Sequence, residues 1–122
     1  MGLEDLEFGT FREIGPNILE IIINKGIELD LAKIKKIEEG LLEKYDGPYS
    51  LLVNRVNSYS HTHESMEKVA NLRNLAGIAI LVYTDFSRHT AMVHKLYQDN
   101  VQVFEDREEA VTWLKDILNK SI

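Results

Sequence analysis

The chain has 122 residues, 44% of them hydrophobic and 28% charged, with a formal net charge of −6 and no cysteine. That length suits one domain around one core, spanning residues 1–122, and is too short for two. Its Lys and Arg are interspersed with acids, as in Lys35, Lys36, Glu38, Glu39 and Lys44; without a basic stripe such a chain repels nucleic acid and anionic membrane surfaces, so neither is an expected partner. The absence of cysteine excludes disulfides, thiolate catalysis and Cys-ligated zinc. The first ten residues carry acids where a secretory leader has bases, and Leu6 stands where myristoylation requires Ser or Thr. The longest apolar run, residues 75–83, is far too short to span a bilayer. The expected location is the cytoplasm.

Leu6, Phe8, Thr10 and Arg12 alternate with acids and Gly, which predicts a half-exposed strand. After the turn signal Gly15-Pro16-Asn17, residues 18–24 are rich in β-branched side chains and predict a second strand, paired with the first as an antiparallel hairpin. Asp30 is placed to cap a helix in which Leu31, Ile34, Ile37, Leu41 and Tyr45 recur every three or four residues, until Asp46-Gly47-Pro48 stops it. A third strand is expected over residues 49–56 and a polar loop over 57–62. A second helix then opens at His61 or Thr62, with Met66, Val69, Ala70 and Leu72 turned inward. The nearly unbroken apolar run 76–83 reads as a central strand buried on both faces. Residues 84–87 turn into a third helix whose expected inner face is Ala91, Val93, Leu96 and Tyr97. A short strand over 100–105 leads to Asp106 and Glu109 in capping-box spacing, and Ala110, Trp113, Leu114, Ile117 and Leu118 form the stripe of a last helix.

This order predicts an α/β domain with about four helices and a mainly parallel, mixed five-stranded sheet whose first strand is an antiparallel edge. Ligands bind such sheets beyond the carboxyl ends of the strands. Two loops there are polar: Ser58, Ser60, His61, Thr62 and His63 after the third strand, and Thr84, Asp85, Ser87, Arg88 and His89 after the fourth. If the strands are neighbours, these ten residues share one crevice. His61 and His63 with His89 or Asp85 carry metal-ligating atoms, but an H-x-H pair is a weak pattern, and no metal or other cofactor is expected. Ser58, Ser60 or Ser87 beside a histidine and Asp85 contain the parts of a nucleophilic site, yet no G-x-S-x-G surrounds them, and Ser, Thr and Asp before a helix are ordinarily caps. No catalytic residue is expected. Two helix N-termini with Arg88 would favour an anion. Met66, Met92, Tyr97 and Trp113 are read as core rather than as a pocket, and Arg55 and Arg73 as surface residues.

Leu81-Val82-Tyr83-Thr84-Asp85-Phe86-Ser87-Arg88 resembles the end of the central strand in SpoIIAA-like proteins, relatives of the STAS domains of bacterial anti-sigma factor antagonists. Residues 103–114, Val-Phe-Glu-Asp-Arg-Glu-Glu-Ala-Val-Thr-Trp-Leu, are similar to that family's closing strand and helix. The resemblance implies a roughly sequential sheet and a regulatory role in which a serine at the start of the helix after the third strand is phosphorylated. The matching region, residues 58–65, offers Ser58, Ser60 and Thr62. More loosely, it implies small apolar ligands. The leading expectation is a non-catalytic protein-interaction module with a protein partner or a second copy, a homodimer. The alternative is a carrier or sensor of a lipid-like ligand held between the sheet and the helices bearing Met66 and Met92. A hydrolase or metal-dependent enzyme comes third.

Overall fold

A computed structural model describes residues 2–121. After a single 3-10 turn (Leu3–Asp5) the chain forms β1 (Gly9–Gly15), β2 (Ile18–Ile23), a short β3 (Glu28–Leu29), α1 (Leu31–Lys44), β4 (Tyr49–Asn54), a short β5 (Ser60–His61), α2 (His63–Val69), β6 (Leu75–Leu81), α3 (Asp85–Met92), a 3-10 extension (Val93–Leu96), β7 (Val101–Phe104) and α4 (Arg107–Lys120). The main sheet has five strands in the order β1-β2-β4-β6-β7, antiparallel between β1 and β2 and parallel elsewhere. This is the expected mixed sheet with its antiparallel edge. Asn17 takes a positive φ of 60° in the β1–β2 turn, where a short amide side chain is tolerated.

Burial follows the pleat. Leu19, Ile21 and Ile23 of β2, Leu51 of β4 and Ile78 and Ile80 of β6 face α1, α2 and Ala91 of α3. Ile18, Leu52, Ala79 and Leu81 face the opposite way, onto Ala110, Leu114 and Leu118 of α4. The interior strands are therefore apolar on both sides, which is why 75–81 reads as an unbroken hydrophobic run. Each helix opens on the expected cap: Asp30 accepts from the Lys33 amide at 2.9 Å and Asp106 from the Glu109 amide at 3.0 Å. Glu38 on α1 clasps Lys68 of α2 at 2.8 Å and accepts from the Arg73 amide at 3.0 Å, which fixes the angle between the two helices.

Four expectations need correction. Leu6 and Phe8 precede the first strand, which starts at Gly9 because the 3-10 turn uses Leu3 and Leu6 as apolar plugs. The polar loop 57–62 contains a strand: Ser60 and His61 pair in parallel with Glu28 and Leu29 as a separate two-stranded sheet. Val93 and Leu96 do not face inward, because the helix tightens to 3-10 geometry at Val93 and the residues beyond are rotated; His94 goes inward instead, while Leu96 is 84% exposed. Arg55 is buried at 6% exposure.

One acid sits inside the sheet. Glu20, in the middle of β2, receives Arg107 at 2.8 and 2.9 Å, Arg12 at 2.9 Å and Asn54 at 2.9 Å. The Arg107 hydrogen bonds are the main reason its carboxyl is held down to about 2, against the opposing effect of burial. Tyr83 extends the network by donating to Asn54 Oδ1 at 2.8 Å. A carboxylate whose folded pKa lies below its unfolded value stabilises the fold above the unfolded value and loses that contribution as pH falls through the folded one. Glu20→Gln is expected to cost about 2 kcal/mol at neutral pH, allowing for solvent around the two arginines. Urea titrations should show the gap to wild type closing between pH 4.5 and about 2.

Candidate functional site

β4 and β6 are adjacent, so the loops beyond their carboxyl ends do meet. The ten candidate residues nevertheless divide. Thr62 and Thr84 are N-caps of α2 and α3, accepting from the Ser65 amide at 3.1 Å and the Ser87 amide at 3.0 Å. Ser87 completes a capping box with Thr84. His89 bonds the Asp85 carbonyl of its own helix at 2.8 Å, and Arg88 pairs with Glu105 at 2.8 Å. His63 lies outside, between Tyr97 Oη at 2.8 Å and Glu67 at 2.6 Å. Ser58, Ser60 and Asp85 are exposed. Only His61 turns inward.

The small β3–β5 sheet causes that split. The Gly26 amide donates to the Ser58 carbonyl, the Ser60 amide to Ile27 and the Thr62 amide to Leu29, at 2.9 to 3.0 Å. Extended backbone alternates its side chains, so Ser58 and Ser60 point to solvent while Tyr59 and His61 point to the core. Gly26 takes a positive φ of 82° at the start of this ribbon, a conformation glycine adopts without strain.

Tyr59 and His61 meet two residues absent from the expected site, Arg55 and His94. The Arg55 guanidinium lies over the Tyr59 ring at 4.1 Å and donates from Nη2 to the Tyr59 carbonyl at 3.0 Å. Its Nε and Nη1 are buried without a hydrogen-bond partner. Among the described residues no carboxylate pairs with it. His61 and His94 stack edge-on at 4.9 Å between ring centres. Burial is the first cause that pushes His61 down to about 3 and His94 to about 4, and the Arg55 charge adds to both. Both imidazoles are neutral at physiological pH.

This cluster stands between two spaces. On the inside is an apolar cavity of about 50 Å3 between the sheet and the α1–α2 layer, walled by Ile21, Ile37, Leu51, Leu72 and Ile78. On the outside is an open groove of about 450 Å3, bounded by Met66, Phe86, Val93 and Tyr97. Arg55, Tyr59, His61 and His94 line both. Met66 belongs to this region as expected, but Met92 points to solvent, because the cavity lies under α1 and α2 rather than α3.

Ser65 Oγ lies 2.9 Å from His61 Nδ1, but it is fully buried and donates to the Thr62 carbonyl at 2.8 Å. Among the described residues no cluster of three or more His, Cys, Asp or Glu is placed to hold a metal ion, and no helix is long and apolar enough to cross a membrane.

With the fold and this geometry in hand, comparison with solved structures is informative. Over 87% of this chain and 91% of the other, the structure is similar to an uncharacterized protein of the DUF3478 family with a SpoIIAA-like fold from Shewanella loihica PV-4, with a TM-score of 0.61 and 14% sequence identity. The chain has a SpoIIAA-like fold. A second similarity, to the phosphorylated form of the Bacillus cell fate determinant SpoIIAA, has a TM-score of 0.49 at 13% identity over 85% of this chain and 96% of the other. No protein-family model and no curated protein matches the sequence. At these identities the likeness is one of backbone, so the SpoIIAA-like fold says nothing by itself about Arg55 or His94.

The two histidines make stability pH-dependent. A base with a folded pKa below its unfolded value of 6.5 stabilises the fold fully above that value and withdraws the contribution as pH falls through the folded value. Unfolding free energies from urea titrations should fall from pH 6.5 toward pH 5, by up to about 2 kcal/mol per histidine. In a His61→Gln/His94→Gln double variant that slope should flatten.

Proposed function

We propose that this protein is a non-catalytic protein-interaction module that docks through α3 and its 3-10 extension, and that the docked partner is a second copy of the chain. The observation that carries this reading is the apolar surface there. Phe86 is 76% exposed and Leu96 84%, with Tyr83, Met92 and Val93 exposed beside them. Phe86 and Val93 border the same groove, and Val93 and Leu96, three residues apart in the 3-10 turn, share a face, so the apolar side chains form a patch of the kind that marks an interface. Asp85 opens the patch and Lys95 closes it. A two-fold axis across the patch therefore sets the acidic end of one copy against the basic end of the other, and an isologous contact needs that self-complementarity. The SpoIIAA-like fold supports a regulatory use of such a module. Phosphorylation of Ser58, Ser60 or Thr62 remains part of this proposal: Ser58 and Ser60 are exposed, and a phosphate on Thr62 would break the cap of α2.

A second reading, a carrier or sensor of a small apolar ligand, is favoured by a different observation, the inner apolar cavity separated from the groove by Arg55, Tyr59, His61 and His94. Cavities of this kind, mostly apolar with a few convergent polar groups, are the usual form of small-molecule sites.

Leu96→Glu and Phe86→Ser are expected to convert a dimer into a monomer in sedimentation equilibrium while circular dichroism shows the fold intact, since both side chains are exposed; the Tm should lose its dependence on protein concentration. A wild-type protein that stays monomeric at millimolar concentration would overturn self-docking.

A further inference from the structure

Arg55 is the least explained residue in the molecule. It follows β4 directly, its amide is tied to the Leu81 carbonyl at 2.9 Å, and its side chain is 94% buried by the complement of its 6% exposure. A guanidinium cannot shed its proton to escape an apolar setting as a lysine can. A buried charge without a counter-ion destabilises a fold strongly. Among the described residues its compensation is the face of Tyr59 and one carbonyl, which leaves Nε and Nη1 buried and unpartnered. The other groups around it, His61 and His94, bring no negative charge. The position is anomalous as pure structure and orderly as half of an ion pair.

The space next to it says what the other half is attached to. Beyond Arg55 the inner cavity is walled almost wholly by carbon: Ile21, Leu51 and Ile78 from the sheet, Ile37 and Leu72 from the helices. A free phosphate would find too few donors and a dry wall. A carboxylate, planar and singly charged, matches a guanidinium in shape and charge, and a hydrocarbon tail matches the wall.

Resting on the carrier reading above, we infer that Arg55 anchors the carboxylate of a small amphipathic monoacid, whose apolar tail lies in the inner cavity against Ile21, Leu51 and Ile78. The ligand enters from the groove between Met66 and Phe86, and His61 and His94 flank its headgroup. A cavity of about 50 Å3 holds only a few carbon atoms before the walls must give, so the preferred acids are short, at most about six carbons with the walls yielding.

Isothermal titration and thermal shift with hexanoate, hexanol and inorganic phosphate test this on the wild-type chain, with Arg55→Met and Arg55→Lys alongside. Hexanoate should bind at least tenfold more tightly than hexanol and raise the Tm. It should shift the methyl resonances of Ile21, Leu51 and Ile78. Arg55→Met should melt higher than wild type without ligand, because an unpaired charge has gone, yet lose the hexanoate response; Arg55→Lys should keep part of it. Equal binding of hexanoate and hexanol, indifferent to Arg55→Met, would remove Arg55 as the anchor and leave the carrier reading standing. No binding of either at millimolar concentration would overturn both. Phosphate binding as tightly as hexanoate would overturn the apolar acid in favour of a plain anion site.

Discussion

Glu20 and the hydrogen bonds it receives hold the elements of this fold in register. The carboxylate joins β1 through Arg12, β4 through Asn54 and the start of α4 through Arg107, a partner 87 residues away in sequence. Burying a charge in a strand is unfavourable unless every lone pair is used, and here hydrogen bonds converge on both oxygens. Once they form, the last helix has one place to start along the sheet, and the apolar residues Ala110, Leu114 and Leu118 fall onto Ile18, Leu52 and Leu81. The other face of the same sheet carries a buried charge of opposite sign treated in the opposite way. Arg55 has an aromatic face and one carbonyl, with no acid. One charge the chain neutralises itself; the other it leaves without an acid.

The carboxyl end of β4 is shaped by a second constraint, the pair of short strands β3 and β5. They add little to the core, but they impose extended backbone on residues that would otherwise form a free loop. Strand alternation then sorts the polar cluster, sending Ser58 and Ser60 outward and Tyr59 and His61 inward. The inner site and the outer surface are thus products of one local pairing, and Arg55, Tyr59, His61 and His94 form the wall between them.

The sheet order, the hairpin, the caps at Asp30 and Asp106 and the α1 stripe were all legible from sequence, because each rests on local chemistry or on a period sustained over several turns. The parts that escaped lacked those supports. A strand as short as Ser60–His61 has no period to detect. The inward reading of Val93 and Leu96 assumed α-helical steps past Met92, where the chain in fact tightens, and the change of pitch puts His94 where an apolar residue was expected. The sequence predicts a surface Arg55 because arginine is rarely buried; its burial depends on Tyr59 and on the β3–β5 pairing, neither visible in the residues around it. The candidate site was therefore half legible: the right end of the sheet and His61, but not Arg55, Tyr59 or His94. A charged residue directly following an apolar strand, four residues before an aromatic, was the one available signal.

The antiparallel edge has a consequence for how this molecule meets its own kind. β1 presents an open row of backbone groups, a template on which another chain could crystallise into a continuous ribbon. Its outward side chains include Arg12 and Glu13, and its pairing with β2 slips in register between Glu13 and Gly15. Alternating charge and a twisted rim are how natural sheets refuse such growth. Guarded in this way, the sheet stops at five strands.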